Sequence, residues 1–216
     1  SAWLDGGQTL LVRGGQEAVS PGTLHIEGDW SHAAFYLVAG AIGRGEIRLT
    51  GLDPKSAQGD RAVVEILRDM GADIRWEGSA LVSRASRLHG LRVDCAQIPD
   101  LVPILAVAMA AAEGDSRITG AARLRIKESD RLSAMAAALT AAGADAAELP
   151  DGLAIRGGKT LHAAKIEGCN DHRIVMAMTI ASALSDGEWT ITDAEATAKS
   201  APAFWQEFER LGGLAR

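Results

Sequence analysis

Two cysteines, Cys95 and Cys169, are all that 216 residues contain. Two thiols make no disulfide framework and show no metal-ligand spacing. Both read as small apolar fillers in a reducing, cytoplasmic setting. An excess of positive charge is missing too: 22 Lys and Arg stand against 28 Asp and Glu, a formal net charge of −6. General nucleic-acid and membrane-surface binders are usually basic, so neither kind of partner is expected. A local basic cluster remains free to hold a small anion. No apolar run reaches the roughly 20 residues that cross a bilayer, and no secretory signal opens the chain. An initiator Met is absent as well, and a start at Ser1-Ala2 is compatible with a tag remnant, a processed end or a cut inside a longer protein. What remains, 47% hydrophobic residues over this length, suffices for a sizeable core in one large domain or two small ones.

The chain repeats itself. Asp29, Asp100 and Asp171 lie 71 residues apart, and each precedes about a dozen mostly apolar residues that read as a buried helix. Aspartate accepts hydrogen bonds from the free N–H groups of a first helical turn, so capping is the simplest role for all three. After each helix come a Gly and a short β-like run: GEIRLTGL from Gly45, GDSRITGA from Gly114 and GEWTITDA from Gly187. An amphipathic helix follows each run and ends at Gly71, Gly143 or Gly212, the usual left-handed C-cap. The first two units then carry a hairpin, turning at Glu77-Gly78 and at Asp151-Gly152; the third has none. The fold class is therefore α/β, with three pseudo-repeats of helix–strand–helix–strand–strand near residues 29–99, 100–170 and 171–216. In a closed three-fold arrangement the last unit's missing strands must come from elsewhere. Residues 1–28 read differently, as one strand in QTLLVRGG, a Ser-Pro-Gly turn and an extended link.

Charges that break the repeat are candidates for function. Each loop between strand and second helix carries a Lys: Lys55, Lys127 and Lys199. Only the second, in ARLRIKESDRL (residues 122–132), gathers Arg123, Arg125, Lys127, Glu128 and Arg131. With Ser129 or Asp130 as N-cap, Arg131 stands in a first helical turn, where a cation mildly opposes the helix dipole but helps to hold an anion. NDHRIVMAM places Asp171, His172 and Arg173 at another helix start. Repeats related by approximate rotation bring these ends to one face. There Arg131, Arg173 and Lys199 can converge on one anion, with Glu128 and His172 as proton carriers.

With these residues together, RIKESDRL, NDHRIVMA, ATAKSAPAFW, IPDLVP and GGQEAVSPGTLHIEGDWSHAAFYLVAGAI strongly resemble the 5-enolpyruvylshikimate-3-phosphate synthases over nearly the whole chain. The resemblance implies one domain of the inside-out α/β barrel of the enolpyruvyl transferases. It implies transfer of the enolpyruvyl group of phosphoenolpyruvate to the 5-hydroxyl of shikimate 3-phosphate, with phosphate release and without metal or organic cofactor. It also implies roles. Asp100 is the base on the reacting hydroxyl and contacts shikimate 3-phosphate with Lys127. Glu128 exchanges protons with the methylene carbon of phosphoenolpyruvate. Arg131, Arg173 and Lys199, with His172 beside them, hold its carboxylate and phosphate. Arg123 stands where some members carry Asn, and is a further shikimate 3-phosphate contact. The family's amino-terminal half carries a Lys-Ser pair, a phosphate-binding serine pair and a further Arg clamp that this sequence lacks. On this resemblance residues 1–28 are the tail of that other domain plus a linker, and residues 29–216 are the carboxy-terminal domain, whose cleft needs the missing half as partner. The fragment alone is then expected to be inactive. Two other readings stay open: a non-catalytic module holding an anion, and enolpyruvyl transfer to a nucleotide sugar.

Overall fold

The computed structural model describes residues 9–216 and the backbone of residues 2–4. Strand β1 (Ala2–Leu4) pairs antiparallel with β2 (Thr9–Leu11). Only the second of these is legible in the sequence, within QTLLVRGG. Residues 12–28 follow without regular structure and leave Val19 and Ile26 mostly exposed.

The first unit contains α1 (Trp30–Ile42), β3 (Glu46–Leu49), α2 (Val63–Asp69), β4 (Asp73–Glu77) and β5 (Ala80–Arg84). The second contains α3 (Val102–Ala111), β7 (Asp115–Thr119), α4 (Arg131–Ala141), β8 (Asp145–Leu149) and β9 (Gly152–Arg156), preceded by β6 (Arg92–Asp94). The third contains α5 (His172–Ala181), β11 (Thr190–Ile191) and α6 (Phe204–Arg210), preceded by β10 (Lys165–Ile166). The expected order of elements is therefore present, with one addition. A short strand enters the second and third units and pairs parallel with the strand after the first helix, β6 with β7 and β10 with β11.

Helices α1, α3 and α5 pack against one another at the centre. Every residue from Val102 to Ala110 is buried, which is why this stretch is apolar all round rather than amphipathic. Helices α2 and α4 bury one face only, through Val63, Val64, Ile66 and Leu67 and through Leu132, Met135 and Leu139. The sheets lie outside, in the orders β3-β5-β4, β6-β7-β9-β8 and β10-β11. Gly40 allows the close seating of α1 on β5: a Cβ there would lie 2.7 Å from the Ser83 carbonyl oxygen, and the Ser83 hydroxyl donates to the Leu37 carbonyl at 2.7 Å.

The three C-cap glycines take left-handed backbone, at φ +98° for Gly71, +91° for Gly143 and +95° for Gly212. The hairpin turns sit one residue away from their expected places. Glu77 faces Ala80 across Gly78-Ser79, and Leu149 faces Gly152 across Pro150-Asp151. A two-residue turn leaves the residues on either side of it as the last strand pair, so Glu77 and Gly152 belong to strands. No helix among the described residues is long and apolar enough to cross a membrane.

Candidate active site

The three frame-matched aspartates have two different fates. Asp29 caps α1, accepting from the Ser31 and His32 N–H groups, and Asp171 caps α5, accepting from Arg173. Asp100 caps nothing. Pro99, suited to a first helical position, opens a 3₁₀ turn over Pro99–Leu101 that runs into α3, and Asp100 lies inside that turn. Its carboxylate is thus free to meet the starts of α4 and α5.

Three cations reach it. Arg131 Nη1 donates to Asp100 Oδ1 at 3.1 Å, Arg173 Nη2 lies 3.3 Å from Oδ2, and Lys127 Nζ lies 3.8 Å from Oδ1. Arg173 Nη1 also donates to the Asp100 carbonyl at 3.1 Å. These contacts tie three helix starts together.

Arg131 is the centre of the cluster and only 1% exposed. Asp130 caps α4 by accepting from Ser133 N–H at 3.1 Å, so Arg131 does stand in the first turn. Its guanidinium donates from Nε to Asp171 Oδ2 at 2.8 Å, from Nη2 to Asp171 Oδ1 at 3.2 Å and from Nη2 to Glu128 Oε2 at 2.7 Å. With the Asp100 bond, four of the five guanidinium N–H groups are used, and one on Nη1 is left. A dipole penalty of a few tenths of a kcal/mol is small beside the roughly 3–5 kcal/mol that leaving the buried Asp171 carboxylate without its arginine would cost. Burial alone would raise the Asp171 carboxyl. The Arg131 hydrogen bond and charge, the Arg173 N–H and the Ser129 hydroxyl overcome this and hold it below the usual carboxylate range. Ser129 Oγ donates to Asp171 at 2.9 Å.

His172 lies against this cluster with Nδ1 buried and without a hydrogen-bond partner, 3.9 Å from both Glu128 Oε1 and Asp171 Oδ1. Burial, then the Arg173 charge, push its pKa below the ordinary imidazole value, so the ring is neutral near pH 7. Asp60, at the start of the first unit's second helix, accepts from the Ser31 hydroxyl; burial, and secondarily the Asp100 charge, raise its carboxyl.

Lys199 comes from the third unit, at the end of a 3₁₀ segment over Ala194–Lys199. It reaches the residue before Asp171: Nζ donates to the Asn170 carbonyl at 2.6 Å and to Asn170 Oδ1 at 2.7 Å. The other two arginines of the 122–132 segment also have partners within the protein. Arg123 donates to the Ala96 carbonyl and so ties its own segment to the loop leading into Asp100. Arg125 is spent on structure, donating to the Leu149 and Pro150 carbonyls at 2.7 and 3.1 Å and to Glu148 and Asp130 at 2.6 and 3.0 Å. It fastens the RIKESDRL loop to the β8–β9 turn. The sequence reading missed Ser129, Asp60 and Asn170 as members of the site. Two of them left a trace, Ser129 as an alternative N-cap for α4 and Asn170 as an Asn directly before a capping Asp.

Two hollows, of about 370 and 940 Å3, lie away from this cluster, one between α1, β3 and α6 and one along β11 and α6. The charged residues instead crowd one face, where fixed cations and carboxylates can orient an anion and move protons, as one wall of a site does.

The model of the EPSP synthase family (3-phosphoshikimate 1-carboxyvinyltransferase) matches residues 4–208. The 3-phosphoshikimate 1-carboxyvinyltransferase of Clostridium novyi (strain NT) is 43% identical over 205 residues, which is 95% of this chain and 47% of that protein. The enzyme of the same name from Halobacterium salinarum is 44% identical over 210 residues, 94% of this chain and 48% of that protein. A solved structure of EPSP synthase from Acinetobacter baumannii superposes with a TM-score of 0.74 at 34% identity, over 86% of this chain and 46% of that one. The enolpyruvyl transferase NikO from Streptomyces tendae, 18% identical, shares the fold with a TM-score of 0.69 over 88% of this chain and 44% of its own. The chain thus spans about half the length of the curated relatives it matches. By the extent and identity of these matches, it belongs to the EPSP synthase (3-phosphoshikimate 1-carboxyvinyltransferase) family.

Proposed function

We propose that this chain forms one wall of an active site that transfers the enolpyruvyl group of phosphoenolpyruvate to the 5-hydroxyl of shikimate 3-phosphate and releases phosphate. The observation that carries the reading is the convergence of Asp100, Lys127, Glu128, Arg131, His172 and Arg173 from three helix starts within hydrogen-bonding or ion-pair range. An anion-binder needs only the cations. Two carboxylates held among them, Asp100 and Glu128, add what proton transfer needs.

Glu128, in its acid form, delivers a proton to the methylene carbon of phosphoenolpyruvate, and positive charge develops on the adjacent carbon. Shikimate 3-phosphate attacks that carbon through its 5-hydroxyl while Asp100 takes the hydroxyl proton. The tetrahedral adduct then loses phosphate as Glu128 takes a proton back from the methyl carbon, which restores the enol ether. Arg131, Arg173 and Lys199 hold the carboxylate and phosphate throughout, with His172 beside them. Lys127 and, more peripherally, Arg123 contact shikimate 3-phosphate. Fixed cations of this kind stabilise charge without reorganising at the moment of reaction.

Residues 29–216 are the transferase domain in this reading, and residues 1–28 are the tail of a second domain and its linker. That second domain supplies the opposite wall, and the enzyme works in the cytoplasm. Without the opposite wall, orientation worth roughly 7–11 kcal/mol of barrier is missing. Phosphate release from phosphoenolpyruvate plus shikimate 3-phosphate tests the reading, with the chain alone and with a family amino-terminal half added. Release only after addition is expected. Silence in both, from a folded chain, sinks the catalytic reading and favours a binding module.

A further inference from the structure

Resting on the reading of Lys199 as an anion ligand, we infer that Asn170 is a positioning residue that aims the Lys199 ammonium while leaving its charge uncompensated.

The cations of the site are held in two ways. Lys127, Arg131 and Arg173 all lie within ion-pair range of Asp100, and Arg131 meets Glu128 and Asp171 as well. Lys199 has no carboxylate within that range among the described residues. Both of its contacts are neutral oxygens of one residue, the carbonyl and side-chain Oδ1 of Asn170. An ammonium has three N–H groups and no acceptor, so Oδ1 rather than Nδ2 must face it, and one N–H remains for a ligand. A carboxylate in the same place would orient Nζ equally well but would compete with an incoming anion.

The backbone under Asn170 is built for this. Cys169 and Asn170 are consecutive left-handed residues, at φ +54° and +49°, and Asp193, opposite them, is a third at +56°. Non-glycine residues hold such conformations only where their surroundings fix them. Here the Asn170 N–H donates to Asp193 Oδ2 at 2.9 Å, and the Gly168 N–H donates to Thr192 Oγ1 at 3.0 Å. Gly168 itself has no room for a side chain, since a Cβ would lie 2.2 Å from the Thr192 carbonyl oxygen. The strained turn points the Asn170 carbonyl and side-chain oxygen at the same ammonium. One run of residues then sets three cations: Asn170 holds Lys199, Asp171 holds Arg131, and Arg173 is itself the third.

The test is titration of inorganic phosphate into this chain by calorimetry, with Asn170→Asp, Asn170→Gly, Lys199→Met and the Asn170→Asp/Lys199→Met pair. Asn170→Gly keeps left-handed backbone accessible and removes only the side-chain contact. We expect Lys199→Met and Asn170→Asp each to weaken phosphate binding about tenfold, and Asn170→Gly about threefold. In the double variant, Asn170→Asp should add nothing, because the ammonium it acts through is gone. Equal effects of Asn170→Asp with and without Lys199 would reveal a merely structural role and overturn the inference. If Lys199→Met leaves affinity unchanged, or the unsubstituted chain binds no phosphate, the anion-ligand reading falls and the inference with it. If Lys199→Met weakens binding while both Asn170 variants bind normally, only the inference fails. Acetylation of Lys199 by acetic anhydride, read by mass spectrometry against exposed Lys55, checks the contact without a ligand. Asn170→Gly should accelerate it severalfold, and an unchanged ratio counts against the contact.

Discussion

Arg131 and Asp171 form a two-point ion pair between the starts of α4 and α5, with Nε to Oδ2 at 2.8 Å and Nη2 to Oδ1 at 3.2 Å, and side chains 1% and 0% exposed. Removing one partner of such a pair leaves the other buried and uncompensated. Asp171→Ala should therefore cost about 3–5 kcal/mol of folding stability. It also removes the α5 cap and the Ser129 acceptor. Urea unfolding of the two chains checks this, and a midpoint unchanged by the substitution would falsify the structural role given to the pair.

Acid should act on this region in two stages. His172 has a folded pKa below its unfolded value of about 6.5, because burial and then Arg173 disfavour its cation. Its contribution is full above the unfolded value and is lost as pH falls toward the folded one. Asp171 has a folded pKa below its unfolded value of about 3.9, since its hydrogen bonds and the Arg131 charge overcome the opposing effect of burial. Its contribution is full above the unfolded value and is lost as pH falls through the folded one. Urea midpoints at pH 7, 5.5, 4.5 and 3.5 should decline in both windows. His172→Gln should abolish the first decline and leave the second.

The helix ends offer a test that leaves the site untouched. Gly143 closes α4 at φ +91°, and a Cβ there would lie 2.7 Å from two atoms of the His162 ring. The ring is exposed and can swing aside, so the cost is set mainly by the left-handed backbone. Gly143→Ala should cost about 1–2 kcal/mol in stability. Phosphate affinity should stay within twofold of the parent, because the substitution lies at the opposite end of the helix from Arg131. A loss of affinity as large as that of Lys199→Met would mean that the site depends on the far end of α4.

These three cases mark what the sequence could reveal. The 71-residue period, the apolar helices and the C-cap glycines are local patterns, and each appears where the period puts it. The period also gathers the helix starts that carry Arg131 and Arg173 on one face, but it reads Asp100 as a cap and does not place its carboxylate between them. Differences between repeats are another matter. Asp29, Asp100 and Asp171 look alike in sequence, and only the Pro99 turn takes Asp100 out of the capping role. Arg125 and Arg131 sit six residues apart in one charged run. One ties down a hairpin turn and the other lies buried among carboxylates, because the partners that decide between those fates are 23 to 40 residues away. Asn170 depended on a left-handed turn that no periodicity announces.

Asp100 faces Arg131, Arg173 and Lys127 where an anionic substrate would otherwise meet them. It is also the residue proposed as base, so one substitution should move binding and turnover in opposite directions. Asp100→Asn keeps the size of the side chain, and no helix cap depends on it. Ion pairs at this exposure are each worth roughly 0.2–1 kcal/mol. Releasing Arg173 and Lys127 should then tighten phosphate binding to this chain about threefold to tenfold, 1.4 kcal/mol being a factor of ten. In the presence of the amino-terminal half, the same substitution should slow phosphate release by about a hundredfold or more, the usual contribution of a positioned base. Weaker phosphate binding would show that Asp100 does not compete with the ligand but helps to shape its site. Tighter binding with normal turnover would move the base to another residue, and Glu128 would be the next to substitute.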